Sequence, residues 1–118
     1  MTKSVDEKRF YRGMGISLHA SFQGGEMITK PLVFKGDCLM VNFSTSAAGS
    51  LKVEIQDSSG RPVEGYALSE CTELYGDRIE QAVVWNKADV ASLAGQPIRL
   101  RFALKDADVF AFGFHAKP

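Results

Sequence analysis

The chain has 118 residues, of which 45% are hydrophobic and 24% are charged, a composition typical of one globular domain. Its 14 basic and 14 acidic residues give a formal net charge of zero, and the Lys and Arg residues are spread along the chain. No basic surface for nucleic acid is therefore expected. No apolar run approaches the roughly 18 residues of a membrane-spanning helix, so membrane insertion is not expected either.

The N-terminal residues 1–9 are polar and lack the apolar segment of a secretory signal. We predict a flexible tail over residues 1–9, a single domain over residues 10–118, and a cytoplasmic protein, unless the chain is a piece of a larger exported protein. The two cysteines, Cys38 and Cys71, are too few for a disulfide framework. They are predicted to be small buried thiols, with a disulfide between them as the alternative.

Alternation of apolar and polar residues, the period of a half-buried strand, recurs along the chain. Pro31 cannot donate a hydrogen bond to a ladder, so the second strand is predicted to lie at a sheet edge or to be bulged. The longest irregular stretch is Gly65–Asp77, in which only a short strand is predicted. The predicted strands in this part of the chain cover residues 14–22, 26–34, 38–44, 51–57, 66–68 and 78–85.

Residues 89–93 are predicted to form one helical turn that begins at Asp89 and ends at Gly95. Two strands follow, Ile98–Lys105 and Asp108–His115, joined by Asp106 and Ala107. In the last strand three aromatic residues are predicted to share one bulky, buried face: Phe110, Phe112 and Phe114. Together these elements predict an all-β fold: an antiparallel, jelly-roll-like β-sandwich with roughly seven to nine strands.

No catalytic constellation is present in the sequence, and no catalytic residue is assigned. His19 and His115 have no metal-ligand spacing, and acidic neighbours disfavour a reactive thiolate at Cys71. A less favoured alternative is a small hydrolase that uses loop carboxylates. The candidates for this role are Glu70, Glu73, Asp77 and Glu80. No cofactor is expected. A structural calcium is an open alternative, with oxygen ligands from the same side chains together with Asp37, Asp57, Asp106 and Asp108.

Aromatic rings beside polar side chains are the usual means of gripping a sugar, because the ring stacks on CH groups while the polar groups bond the hydroxyls. Tyr75, next to Gly76, is the better surface candidate, whereas Trp85 ends an apolar strand and is favoured as a core residue. The predicted ligand-binding residues are Tyr66, Tyr75, Asp77, Arg78 and Trp85.

Several segments together resemble a known domain. They include Gly24-Gly-Glu26, Leu51-Lys-Val-Glu-Ile55, Gly65-Tyr-Ala-Leu-Ser-Glu-Cys71 and Ala91-Ser-Leu-Ala-Gly-Gln-Pro-Ile-Arg-Leu-Arg-Phe102. The pattern is similar to the C-terminal β-sandwich domain of bacterial glycosidase-like proteins whose larger part is a β-propeller. The resemblance implies a jelly-roll-like sandwich in a carbohydrate-related setting, and it carries over no catalytic residue.

The sequence therefore predicts a non-catalytic sandwich module that is accessory or carbohydrate-associated. The alternative is a structural or oligomerisation domain. The expected partners of the protein are a carbohydrate, a propeller domain or a second copy of the chain.

Overall fold

A computed structural model describes residues 18–20, 25–86 and 90–116. Its strands form one antiparallel sheet in the order β1-β5-β3-β4, and β2 also pairs with β5. The prediction of an antiparallel all-β fold is confirmed, whereas the predicted tail over residues 1–9 lies outside the described residues. In the described part no helix is long and apolar enough to cross a membrane. The strands are β1 Leu18–Ala20, β2 Gly25–Ile28, β3 Cys38–Asp57, β4 Asp77–Ala82 and β5 Ile98–His115.

The two long strands, β3 and β5, correct the predicted strand count. The sequence predicts two strands with a connection in place of each, but both run without interruption through 20 and 18 residues. The β3–β5 ladder is interrupted at the bend: Thr45 pairs with Ala107 and Ser50 pairs with Lys105, while residues 46–49 and Asp106, which has a φ of 45°, have no partner in this ladder. Pairing resumes on the other side of this irregularity, which bends both strands.

The bend brings side chains from the two halves of β5 into contact. The ring centroids of Phe102 and Phe112 lie 5.2 Å apart, although ten residues of straight strand would span roughly 33 Å. Side chains from both halves of β3 and β5 therefore share one apolar core. That core includes Leu39, Val41, Phe43, Leu51, Val53, Ile55, Leu100, Phe102, Phe112 and Phe114.

The predicted face of three phenylalanines in the last strand is wrong at Phe110. Phe112 and Phe114 are buried, but Phe110 is 39% exposed and Val109 is fully buried in its place. The cause is a register shift, because Asn42 pairs with Ala111 while Phe43 pairs with Val109, which leaves Phe110 as the extra residue. An extra residue reverses the side-chain alternation on either side of it.

The irregular stretch after β3 contains less regular structure than the sequence indicated. The short strand predicted at 66–68 is absent, and a 3₁₀ turn covers Leu68–Glu70. The predicted turn at 89–93 is a 3₁₀ turn over Ala91–Leu93, with Gly95 at a φ of +84°, while Asp89 lies outside the described residues. The strand predicted around Pro31 ends at Ile28, and β2 pairs with β5 alone in the described part.

Asp57 closes the turn that follows β3. Its Oδ1 accepts hydrogen bonds from the Ser59 hydroxyl at 2.6 Å, the Ser59 amide at 2.9 Å and the Arg61 amide at 3.1 Å. These donors favour the charged carboxylate, and the pKa of Asp57 is lowered mainly by the Ser59 hydroxyl and the Arg61 amide.

We expect Asp57→Ala to lower the free energy of unfolding, and we expect that loss to depend on pH. A carboxylate whose folded pKa is depressed stabilises the fold above its unfolded pKa and loses the effect as the pH falls through the folded value. The difference in free energy of unfolding between Asp57→Ala and wild type is therefore constant near pH 7. It narrows as the pH falls below 3.8, the ordinary pKa of an aspartate. Urea unfolding at several pH values measures it.

Asp57→Asn is the matched control for this measurement, because the amide oxygen still accepts hydrogen bonds but does not titrate. Its difference from Asp57→Ala should change little with pH. A gap between Asp57→Ala and wild type that stays constant down to pH 3 would contradict the role given to the charge.

Candidate functional site

A groove of about 210 Å³ opens between β4 and the loop of residues 72–75. Buried Phe43 of β3 and buried Leu74 form its apolar floor. The rim carries both apolar and polar side chains. Its lining residues are Phe43, Thr72, Glu73, Leu74, Tyr75, Arg78, Gln81, Ala82 and Val84.

Backbone hydrogen bonds fix the loop on both sides of Tyr75. Leu74 exchanges two hydrogen bonds with Leu51 of β3, at 2.8 and 2.9 Å, and the Gly76 carbonyl accepts one from the Thr45 amide at 2.9 Å. Leu74 points into the core and is 6% exposed, so the next side chain must point out, and Tyr75 is 68% exposed. Gly76 has a φ of +100°, a conformation that suits glycine. The backbone on both sides of Tyr75 is therefore held in place by hydrogen bonds to β3.

The β4 wall of the groove carries polar residues on the core-facing side of the sheet. Arg78 pairs with Phe43 and Gln81 pairs with Val41 in the β3–β4 register. Directly opposite residues in antiparallel strands share a face, and both Phe43 and Val41 are fully buried in the core. Arg78 and Gln81 thus lie where an edge strand places its inward side chains, at the mouth of the groove.

The two charged residues of the groove, Arg78 and Glu73, are both exposed. Neither takes part in an ion pair or side-chain hydrogen bond with another residue of the described ranges. The Arg78 Nε would lie 4.0 Å from a Cβ placed on Gly76, which puts the start of the guanidinium close to the backbone beside Tyr75. The groove therefore offers a set of donors and a set of acceptors that are not used internally.

The five predicted ligand-binding residues fall into two groups. Tyr75 and Arg78 line the groove, and Asp77 lies next to Arg78 at the start of β4, exposed and paired with Ser44. Tyr66 and Trp85 are buried in the core, at 3% and 6% exposure, with their rings 5.6 Å apart in an edge-on arrangement. The Trp85 indole donates to the Val53 carbonyl at 2.8 Å, which satisfies its polar atom inside the fold.

Cys71 has the surroundings of a structural thiol. It is buried, its sulfur accepts a hydrogen bond from the Val53 amide at 3.4 Å, and burial raises the pKa of the thiol. A raised pKa disfavours the nucleophilic thiolate at neutral pH. Neither Cys71 nor Cys38 is part of a disulfide, so the disulfide alternative is wrong.

The loop carboxylates do not converge. Glu73 lines the groove, while Glu70 turns inward and accepts hydrogen bonds from the Gly65 and Ala67 amides at 3.1 and 3.4 Å. Glu80 lies 3.9 Å from the His115 ring. In the part of the chain that is described, no three His, Cys, Asp or Glu side chains come together as a metal site requires.

One cluster of charges was not predicted from the sequence. Glu54 of β3, which alternates with apolar residues in the sequence, is 4% exposed. Its carboxylate accepts hydrogen bonds from Gln56 at 2.8 Å, the Leu68 amide at 3.4 Å and Arg101 at 3.4 Å. Arg101 also binds Glu26 of β2 at 2.7 Å. Both carboxylate oxygens of Glu54 are occupied within the fold, so this arrangement holds the turn at Leu68 against the sheet and leaves no open position for a ligand.

Comparisons with protein-family models, with curated proteins and with solved structures find no match to this chain. The similarity to the sandwich domain of glycosidase-like propeller proteins therefore stays a prediction from motifs. The geometry of the groove carries the functional argument.

Proposed function

We propose that this chain is a non-catalytic β-sandwich module that binds carbohydrate in the groove beside Tyr75. The observation that carries the proposal is the exposed Tyr75 ring, held on an anchored loop above an apolar floor and flanked by Thr72, Arg78 and Gln81. A sugar ring has apolar CH faces and a rim of hydroxyls. This groove offers the matching surfaces, an aromatic face with hydrogen-bonding groups around it.

The bend of β3 and β5 supports the sandwich part of the proposal. The 5.2 Å separation of the Phe102 and Phe112 rings, from the two halves of β5, is what two facing layers of strand would give. The sequence resemblance adds a setting: such a module would accompany a propeller domain in a glycosidase-like protein and supply binding without chemistry.

One feature of the groove favours binding over hydrolysis, and a second indicates the size of the ligand. Glu73 is the one carboxylate among its described lining residues, whereas hydrolysis of a glycoside by an acid and a base or nucleophile requires a pair. The volume of about 210 Å³ is also below the roughly 300–1,000 Å³ of pockets that hold drug-sized ligands. The size suits a single sugar ring at the end or side of a chain.

The test is isothermal titration calorimetry with a panel of monosaccharides and oligosaccharides, on wild type and on Tyr75→Ala. We expect a ligand with millimolar or better affinity, and at least about tenfold weaker binding by Tyr75→Ala, equivalent to a loss of about 1.4 kcal/mol. Because Tyr75 is 68% exposed, its removal should leave the urea unfolding midpoint nearly unchanged.

Phe110→Ala is the matched control for this experiment. Phe110 is a partly exposed aromatic residue outside the groove, so its loss should not alter sugar affinity. Binding that survives Tyr75→Ala and falls with Phe110→Ala would place the sugar elsewhere and contradict the proposed site. Absence of binding across the panel would remove the proposed function.

The alternative, an oligomerisation domain, is less well supported than carbohydrate binding, because the edge strand β4 has features that oppose pairing with another chain. Edge strands invite pairing with another chain, and inward-pointing charges and bulges are the usual devices against it. β4 has both: Arg78 faces the core side, and the β3–β4 register shifts between Val41 and Phe43. Light scattering that shows a monomer at high concentration would agree with this interpretation.

A further inference from the structure

We infer that the groove selects an acidic sugar, a uronate, over the neutral sugar of the same stereochemistry. The inference rests on the proposed carbohydrate site and specifies which sugars it takes. Its basis is the guanidinium of Arg78, which is the one cation among the described residues that line the groove and is not neutralised by a neighbour in the described ranges.

Arg78 is exposed although it lies on the core-facing side of the edge strand, so its guanidinium is open to a ligand. The register places it opposite fully buried Phe43, on the face where β3 carries buried Val41 and Phe43. A guanidinium at such a position bonds its donors to a ligand or to water. Its planar fork matches a carboxylate through two parallel hydrogen bonds, and such charge-assisted bonds are about twice as strong as neutral ones.

The remaining groups fit the rest of a uronate ring. Tyr75 supplies the aromatic face, and the polar atoms of Thr72 and Gln81 can bond hydroxyl groups. The Glu73 carboxylate can only accept hydrogen bonds, so it bonds hydroxyls and repels added negative charge on the ligand. That repulsion favours a ligand with one negative charge, such as a carboxylate, over a phosphate ester that carries nearly two.

The experiment compares two matched pairs of methyl glycosides: glucuronate with glucose, and galacturonate with galactose. Binding is followed by shifts of the backbone amide signals of residues 72–75 in two-dimensional NMR spectra of the whole chain. We expect one uronate to bind roughly tenfold more tightly than its neutral partner. This preference should shrink at high salt, because exposed charges are screened.

Arg78→Gln should weaken uronate binding far more than neutral-sugar binding and so remove the preference, since the amide keeps a hydrogen-bond donor but not the charge. Glu73→Gln should strengthen uronate binding by about two- to threefold, because a like charge is removed, without a matching gain for the neutral sugar. Arg61→Gln, a change at an exposed arginine in the turn after β3, is the control and should leave both affinities unchanged.

The outcomes separate the inference from the function on which it rests. Equal binding of neutral and acidic sugars, or a preference that survives Arg78→Gln, overturns the uronate inference and leaves the carbohydrate site standing. Tighter binding of glucose 6-phosphate than of glucuronate also overturns it. Failure of every sugar to bind overturns both.

Discussion

Replacing Gly49 with alanine is expected to destabilise the fold by about 2–4 kcal/mol. Gly49 lies in the bend of β3, directly against the bend of β5. A Cβ at this position would lie 2.4 Å from the Asp106 carbonyl oxygen and 2.7 Å from the Lys105 carbonyl oxygen. Both atoms belong to the backbone of β5, between the ladder pairs Ser50–Lys105 and Thr45–Ala107, so relief requires the bend itself to open. Urea unfolding monitored by the fluorescence of buried Trp85 measures the loss.

Gly95→Ala separates this steric effect from backbone strain. Gly95 has a φ of +84° but no atom within 4 Å of the place that an added methyl group would take, so alanine there should cost only about 1 kcal/mol. Equal losses for the two variants would show that the close approach at the bend does not govern stability. If Gly49→Ala fails to fold while Gly95→Ala folds normally, the expected order holds.

Arg101→Met is expected to cost about 2–4 kcal/mol. The change keeps much of the apolar stem but leaves the carboxylate of Glu54, at 4% exposure, without its cationic partner. A buried charge that loses its counter-ion is more costly than the pair is stabilising. Chemical unfolding gives the loss. Hydrogen exchange should also show faster opening of the Leu68 amide, which donates to Glu54.

Two further variants make this test specific. Arg99→Met removes a neighbouring arginine whose Nε donates to the Ser58 carbonyl at the surface, and it should cost less than about 1 kcal/mol. Glu54→Gln combined with Arg101→Met removes the buried charge together with its partner, so the double variant should be more stable than Arg101→Met alone. A double variant with the sum of both single losses would contradict the coupling.

The period of the sequence predicted which face of each long strand is buried. Leu51, Val53 and Ile55 alternate with polar residues and are all fully buried. The sequence could not show that β3 and β5 pair again beyond their bends, because strand register is defined by the partner strand. Phe110 shows the limit: its own neighbours predict burial, and only the register with Asn42 and Phe43 turns it outward.

The candidate site was predictable in the same partial way. Tyr75 stands beside a glycine that turns the chain, and this local signal marked it as a surface aromatic. Tyr66 and Trp85 carry the same type of side chain, yet packing against each other in the core separates them from Tyr75. The burial of Glu54 arises when the turn at Leu68 lands on it, a contact between residues 14 positions apart that no periodicity reveals.

The position of β5 determines the order in which the chain can fold as it is made. β1, β2 and β3 all pair with β5, and in the described part β1 and β2 pair with no other strand. A nascent chain that stops before Ile98 therefore exposes the edges of its early strands and the apolar faces meant for the core. Of the described strand pairings, only that of β3 with β4 can form before β5 is made, whereas the pairings of β1, β2 and β3 with β5 wait for it, and pairing across so many residues is slow.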